Sequence, residues 1–250
     1  MENSPVIEAR GLSKSYGRLT AVDQLDLSIR PGEIFGLLGP NGAGKTSTIL
    51  MLLGLSRPAA GSVSVFGFDP WENPLAVKRR VGYLPENVGF YSDLSARQNL
   101  RFVYELNRLA PEARERAVEE ALAAVGLGEA ADRRAGAFSR GMRQRLGLAE
   151  LLIKKPDIFI LDEPTLGLDP EGIDWMLELL ADLSARAGLT VLLSSHLLDL
   201  VERVVHRVAI LKGGRLMAQG PVAELAAAAS LESGLRAVYR HYFRLGEAGP

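Results

Sequence analysis

The sequence predicts an α/β fold with a mostly parallel sheet, and three observations carry that prediction. Short unbroken apolar runs recur at Ile34–Leu38, Ile158–Leu161, Val191–Leu193 and Val208–Leu211, as expected of strands buried on both faces. Stretches of helix-forming residues separate them, the alternation of strand–helix–strand units. Two of the runs end in polar residues, Asp162 and Ser194-Ser195-His196, at the carboxyl ends where such sheets collect ligands.

The elements follow in order. In the first 30 residues Leu25, Leu27 and Ile29 alternate with Asp26 and Ser28, the period of a half-buried strand, so an antiparallel β subdomain is expected at the N-terminus. Ile34–Leu38 opens directly into the glycine-rich stretch Gly39–Gly44, and a helical run, Thr48–Leu53, follows. From about Ser95 to Leu127 helix formers are mixed with Glu and Arg, the pattern of solvated helix faces. Pro111 suits a first helical turn and Gly126 a helix end. Lys212-Gly213-Gly214-Arg215 reads as a hairpin turn. A C-terminal helix is expected over Leu231–Phe243, with no partner assigned.

Gly39-Pro40-Asn41-Gly42-Ala43-Gly44-Lys45-Thr46 matches G-x-x-x-x-G-K-[ST] at every fixed position. With a strand before it and a helix after it, the match predicts a P-loop NTPase core; the bland alternative is a glycine-rich turn. The glycines let backbone N–H groups turn inward around phosphate oxygens, backed by a helix N-terminus. Lys45 would reach the β and γ phosphates, the Thr46 hydroxyl would ligate Mg²⁺, and Ser47 belongs to the same cradle. Asp162 closes an apolar strand and is suited to the metal, while Glu163 beside it is a candidate general base for the attacking water. Without the P-loop, Asp-Glu-Pro would read equally well as a surface turn.

Composition narrows the chemistry. The chain has 250 residues, no Cys and three His, which excludes disulfides and thiol or Cys-ligated metal chemistry and disfavours a multi-His site. Twenty-nine Lys and Arg against 30 Asp and Glu give no basic excess for nucleic acid. The N-terminal stretch lacks the layout of a secretory signal, and no run of about 18 apolar residues is present. A soluble, cytoplasmic protein is expected.

Phe138-Ser139-Arg140-Gly141-Met142-Arg143-Gln144-Arg145 follows the helical stretch. By itself it reads as a Ser-capped basic helix. Behind a P-loop it resembles the signature loop, Leu-Ser-Gly-Gly-Gln, of the ATP-binding subunits of ABC transporters, and the resemblance extends over essentially the whole chain. It implies that Ser139, Gly141 and Met142 contact nucleotide. It implies that Tyr16, otherwise a packing residue, stacks on adenine, and that Asp169 in Leu166-Gly167-Leu168-Asp169, otherwise a turn, joins two subunits. His196, otherwise a surface residue, becomes the switch histidine facing the γ phosphate and the attacking water. Glu86 stands where most members have Gln and remains able to ligate Mg²⁺. Arg140 stands where the signature has its first glycine and Met142 where it has its glutamine, with Gln144 nearby. The Leu84-Pro85-Glu86-Asn87 segment and the signature resemble the ABC-2 type and drug-export branch, including the ATPases of copper-site maturation in nitrous oxide reductase.

The resemblance implies one ABC ATPase domain over 1–250, with residues 1–86 and 153–219 as nucleotide-binding core, 87–152 as helical subdomain and 220–250 as helical tail. It further implies a head-to-tail pair, with itself or a related ATPase, around two ATP molecules, powering an exporter from the cytoplasmic face of the membrane. Phe90 and Tyr91 either meet the membrane subunit or pack on their own subdomain. Two other readings compete: a soluble ABC ATPase acting on DNA or ribosomes, and a module that closes on ATP without hydrolysing it. The stretch from Lys45 to Ser139 carries no long coiled coil, the chain has a single P-loop, and Glu163 and His196 argue for hydrolysis.

Overall fold

The computed structural model describes residues 4–229 and 234–245. Strands β1 (Ile7–Tyr16) and β2 (Leu19–Ile29) run antiparallel, then β3 (Ile34–Leu38) leads through the glycine-rich loop into α1 (Lys45–Leu52). The helix starts three residues earlier than the apolar run suggested, because Lys45 and Thr46 belong to its first turn. β4 (Ala60–Val65), α2 (Pro74–Arg80) and β5 (Val81–Leu84) follow. A helical layer comes next, α3 (Ala96–Leu106), α4 (Arg114–Ala124) and α5 (Arg140–Lys154). The chain then returns to the sheet through β6 (Ile158–Asp162), α6 (Pro170–Ala187), β7 (Thr190–Ser195) and α7 (Leu198–Val201). It ends in β8 (Arg207–Lys212), β9 (Arg215–Gly220), α8 (Val222–Ala228) and α9 (Leu235–Leu245). Residues 231–233 of the expected C-terminal helix lie outside the described residues.

Two sheets result. β2, β1 and β4 form an antiparallel sheet, and a second sheet has the order β5-β6-β7-β3-β8-β9. In the second sheet only the β8–β9 contact is antiparallel. The expected alternation holds in β2, where Leu25, Leu27 and Ile29 are buried and Asp26 is exposed. β3, β6 and β7 are buried along their whole length. Phe35 and Phe159 are among the largest side chains they bury, each contributing about 2–3 kcal/mol by removal from water.

Local chemistry sets the breaks. Ser95 caps α3 with a reciprocal pair: its hydroxyl accepts from the Gln98 amide and the Gln98 side chain accepts from the Ser95 amide. Pro111 opens a single 3₁₀ turn into α4, and Gly126 follows that helix at φ 68°. In the β8–β9 hairpin Gly213 (φ 55°) and Gly214 (φ 82°) both take left-handed geometry. The Gly214 amide donates to the Ala43 carbonyl in the P-loop, at 3.1 Å, and its own carbonyl accepts from the Asp23 amide of β2, at 2.8 Å.

The register brings the polar strand ends together. Leu38 stands opposite Ser195 across β3 and β7, and Asp162 opposite Ser194 across β6 and β7. The P-loop, the carboxylates and His196 therefore share one edge of the parallel sheet.

Candidate nucleotide site

The loop between β3 and α1 depends on glycine at defined points. A Cβ on Gly39 would lie 2.6 Å from the Leu211 carbonyl oxygen, and one on Gly44 2.4 Å from that of Ala21. Gly42 and Gly44 also have φ of 81° and 103°, where an L side chain is strained. Lys45 is buried; its ammonium donates to the Gly39 carbonyl at 2.7 Å and to that of Pro40 at 3.3 Å.

The carboxylates sit across from this loop. Asp162 Oδ2 accepts from the Thr46 hydroxyl at 2.8 Å, and Oδ1 from the Ser194 hydroxyl at 2.5 Å. The Ser194 oxygen in turn accepts from the Glu163 amide at 2.9 Å. Glu163 is buried at φ 49°, a left-handed backbone that costs about 1 kcal/mol or more for a non-glycine residue and clusters at functional sites. Its Oε1 lies 3.1 Å from Lys45 Nζ but accepts no hydrogen bond, so that contact is an ion pair with an oxygen left available. Its Oε2 lies 2.9 Å from His196 Nδ1. The Glu163 carboxylate is thus held between an ammonium and an imidazole. On the other side of β6, burial and then the Asp162 charge push the Tyr83 hydroxyl up to about 12.

Tyr16, residues 40–47 of the loop, Glu86 and Glu163 line one cavity of about 380 Å³. Asn41, Gly42, Gly44, Lys45, Thr46 and Ser47 therefore meet Tyr16, which is half exposed with Lys14 Nζ 5.2 Å from its ring centre. Gly39, Asp162 and His196 join through their bonds to Lys45, Thr46 and Glu163. Ser139, Gly141, Met142 and Asp169 are not part of this cavity. Ser139 caps α5 by accepting from the Met142 amide at 3.2 Å, which leaves its own hydroxyl proton free to donate. Asp169 caps α6 by accepting from the Gly172 amide at 3.0 Å. A larger cavity, about 680 Å³, is lined by Phe66, Phe159 and Leu183 and contains none of these residues.

Two positions differ from what spacing alone suggests. Gln144 is buried rather than presented at the signature surface; its amide donates to the Glu86 carbonyl at 3.4 Å and its Oε1 has no partner. Ser194 is a site residue that sequence reasoning did not single out, although a serine pair closing an apolar strand was the available signal. Phe90 packs against the helical core, while Tyr91 is exposed and meets Phe102 edge-on at 5.0 Å.

Comparison with known proteins agrees with this architecture. The ABC transporter family model matches residues 22–166. The chain is 41% identical over 218 residues to the bacitracin transport ATP-binding protein BcrA of Bacillus licheniformis, covering 87% of this chain and 70% of that protein. It is 40% identical over 214 residues to the Nod factor export ATP-binding protein I of Burkholderia pseudomallei, covering 86% and 70%. The solved structure of an ATP-binding subunit of an ABC transporter superposes with a TM-score of 0.88 at 30% identity, over 95% of this chain and 99% of that one. Fold, motif order and family model converge: the chain belongs to the ABC transporter family as an ATP-binding subunit, an ATPase whose hydrolysis powers transport.

Proposed function

We propose that this chain drives an exporter, pairing head to tail with a second copy or a related subunit so that each of two ATP molecules is held by both partners. One observation carries this reading. The P-loop, Tyr16, Glu86 and Glu163 face one cavity, whereas Ser139, Gly141, Met142 and Asp169 lie outside it at exposed or half-buried positions, which on this reading serve a nucleotide held by another subunit. Names of the relatives, bacitracin transport and Nod factor export, support export. The division into core, helical subdomain and C-terminal tail, at the boundaries expected from sequence, belongs to the same reading.

Lys45 binds the β and γ phosphates, and loop amides around Gly42 and Gly44 bind the remaining oxygens. Thr46, Asp162 and Glu86 would hold Mg²⁺. The donor chemistry fits: the three groups are oxygen ligands, and Thr46 and Asp162 already meet at 2.8 Å. When bound, the ion neutralises phosphate charge. Glu163, with Oε1 unbonded, accepts the proton of the attacking water, and His196 orients that carboxylate and faces the γ phosphate. Tyr16 stacks on the adenine. Ser139, Gly141 and Met142 contact the partner's γ phosphate, and loss of that phosphate releases the pair.

No described helix is long and apolar enough to cross a membrane. Attachment at the cytoplasmic face through a membrane subunit follows from this reading, with exposed Tyr91, Phe102 and Leu106 as the contact surface. Size-exclusion chromatography of Glu163→Gln with ATP and Mg²⁺ tests the shared site. Turnover falls at least about 100-fold while the dimer accumulates; a purely monomeric Glu163→Gln refutes head-to-tail sharing.

A further inference from the structure

His196 begins a short segment that is held at both faces. The Ser195 hydroxyl accepts from the Leu197 amide at 2.9 Å, closing a turn across His196, and α7 starts at the next residue. On the sheet side Val201 of α7 packs against β3 at Gly36, where a Cβ would lie 3.4 Å from Val201 Cγ1. On the other side stands α9. Leu235 and Val238 are fully buried there. The Leu235 amide donates to Glu202 Oε1 at 2.7 Å, placing a carboxylate at the positive end of the helix. Arg236 forks onto Asp199, Nε to Oδ1 at 3.0 Å and Nη2 to Oδ2. The far end of α9 is tied to the sheet, with Lys212 Nζ donating to the Phe243 carbonyl at 2.7 Å and lying 4.2 Å from its ring centre.

We propose that α9 is part of the ATPase machinery: Asp199, Glu202 and Arg236 are positioning residues that fix α7 and, through it, the reach of His196 to Glu163 and the γ phosphate. The inference rests on the reading of His196 given above. A C-terminal helix bonded to the segment that follows His196 couples any displacement of that helix to turnover without touching the P-loop. Binding and hydrolysis thereby respond differently to α9.

Steady-state ATPase kinetics of the full chain test this with Asp199→Arg, Arg236→Asp and the double charge swap, alongside His196→Ala. Each single reversal lowers kcat roughly fivefold with KM for ATP and the thermal midpoint unchanged, and the swap restores kcat. Arg236→Lys, which keeps the charge but loses the two-pronged geometry, gives an intermediate kcat. Wild-type kcat in folded single variants overturns the proposal while leaving His196 in place, provided His196→Ala is inactive. A swap that fails to restore turnover in a folded protein overturns it as well. Full turnover in His196→Ala removes both the role of His196 and this inference.

Discussion

Ser194 orders the site without needing to touch nucleotide. Its one hydroxyl gives its proton to Asp162 and accepts the Glu163 amide, so the carboxylate beside Thr46 and the carboxylate beside His196 share a single anchor. Replacing it with alanine leaves a buried amide and a buried carboxylate oxygen short of a partner, a loss of about 1–3 kcal/mol. Ser194→Ala is expected to lower kcat about 10- to 100-fold while equilibrium ATP affinity, measured by fluorescence titration, changes little. A parallel loss of affinity and kcat would place Ser194 in binding instead. This role was not legible in the sequence, because it depends on β6 and β7 aligning Asp162 with Ser194, a contact between segments far apart in the chain. The P-loop was legible for the opposite reason: its glycines and Lys45 form one contiguous motif of eight residues, even though distant backbone at Leu211 and Ala21 also presses on Gly39 and Gly44. Glu163 was legible as a strand-tip acid, but its left-handed φ was not.

At the scale of elements, α5 joins the helical layer to the sheet, packing against α3, α4 and β5. It carries Ser139 at one end, and further along Gly147 lies where a Cβ would meet Leu84 Cδ1 at 2.4 Å, so helix and β5 approach closely. Beyond that, Glu150 lines a cavity of about 310 Å³ with Val103, Asn107 and Tyr83, and burial raises its carboxyl to about 7. A raised carboxyl favours the protonated folded state. Its stabilising contribution is complete below the unfolded value near 4.5 and is lost as pH rises through about 7. Glu150→Gln is therefore expected to raise stability at pH 8, on the order of 2 kcal/mol, and to do little at pH 4. Denaturant melts at the two pH values check the sign; equal shifts at both would dismiss the titration. The helices α3 to α5 were readable in the sequence from helix-forming composition, Pro111 and Gly126, and the Ser139 cap. β4 and β5 were not, since Ala-Gly-Ser-Val-Ser-Val is exposed over its first half and Val-Gly-Tyr-Leu is only four residues long. Their pairing with β1 and β6 makes them strands.

Across the whole molecule, the P-loop cavity and the exposed face of Tyr91, Phe102 and Leu106 belong to different parts of the fold, which on the proposed reading separates catalysis from coupling. Tyr91→Glu combined with Leu106→Glu places charge on that face. The isolated chain is expected to keep its basal ATPase rate, while co-purification of a polytopic membrane subunit from detergent-solubilised membranes is lost. Undiminished recovery of that subunit would move the coupling surface elsewhere. Another whole-molecule property comes from the Gly213-Gly214 hairpin tip, bonded on one side to Ala43 and on the other to Asp23, with Arg215 paired to Asp23 at 2.8 Å. That tip stitches the antiparallel sheet of β1, β2 and β4 to the P-loop across segments 171 and 191 residues apart in the chain (214 − 43 and 214 − 23). Anyone tagging, splitting or circularly permuting this protein should therefore cut elsewhere: an insertion at this two-residue turn would loosen the tie between β2 and the P-loop even though it touches no motif.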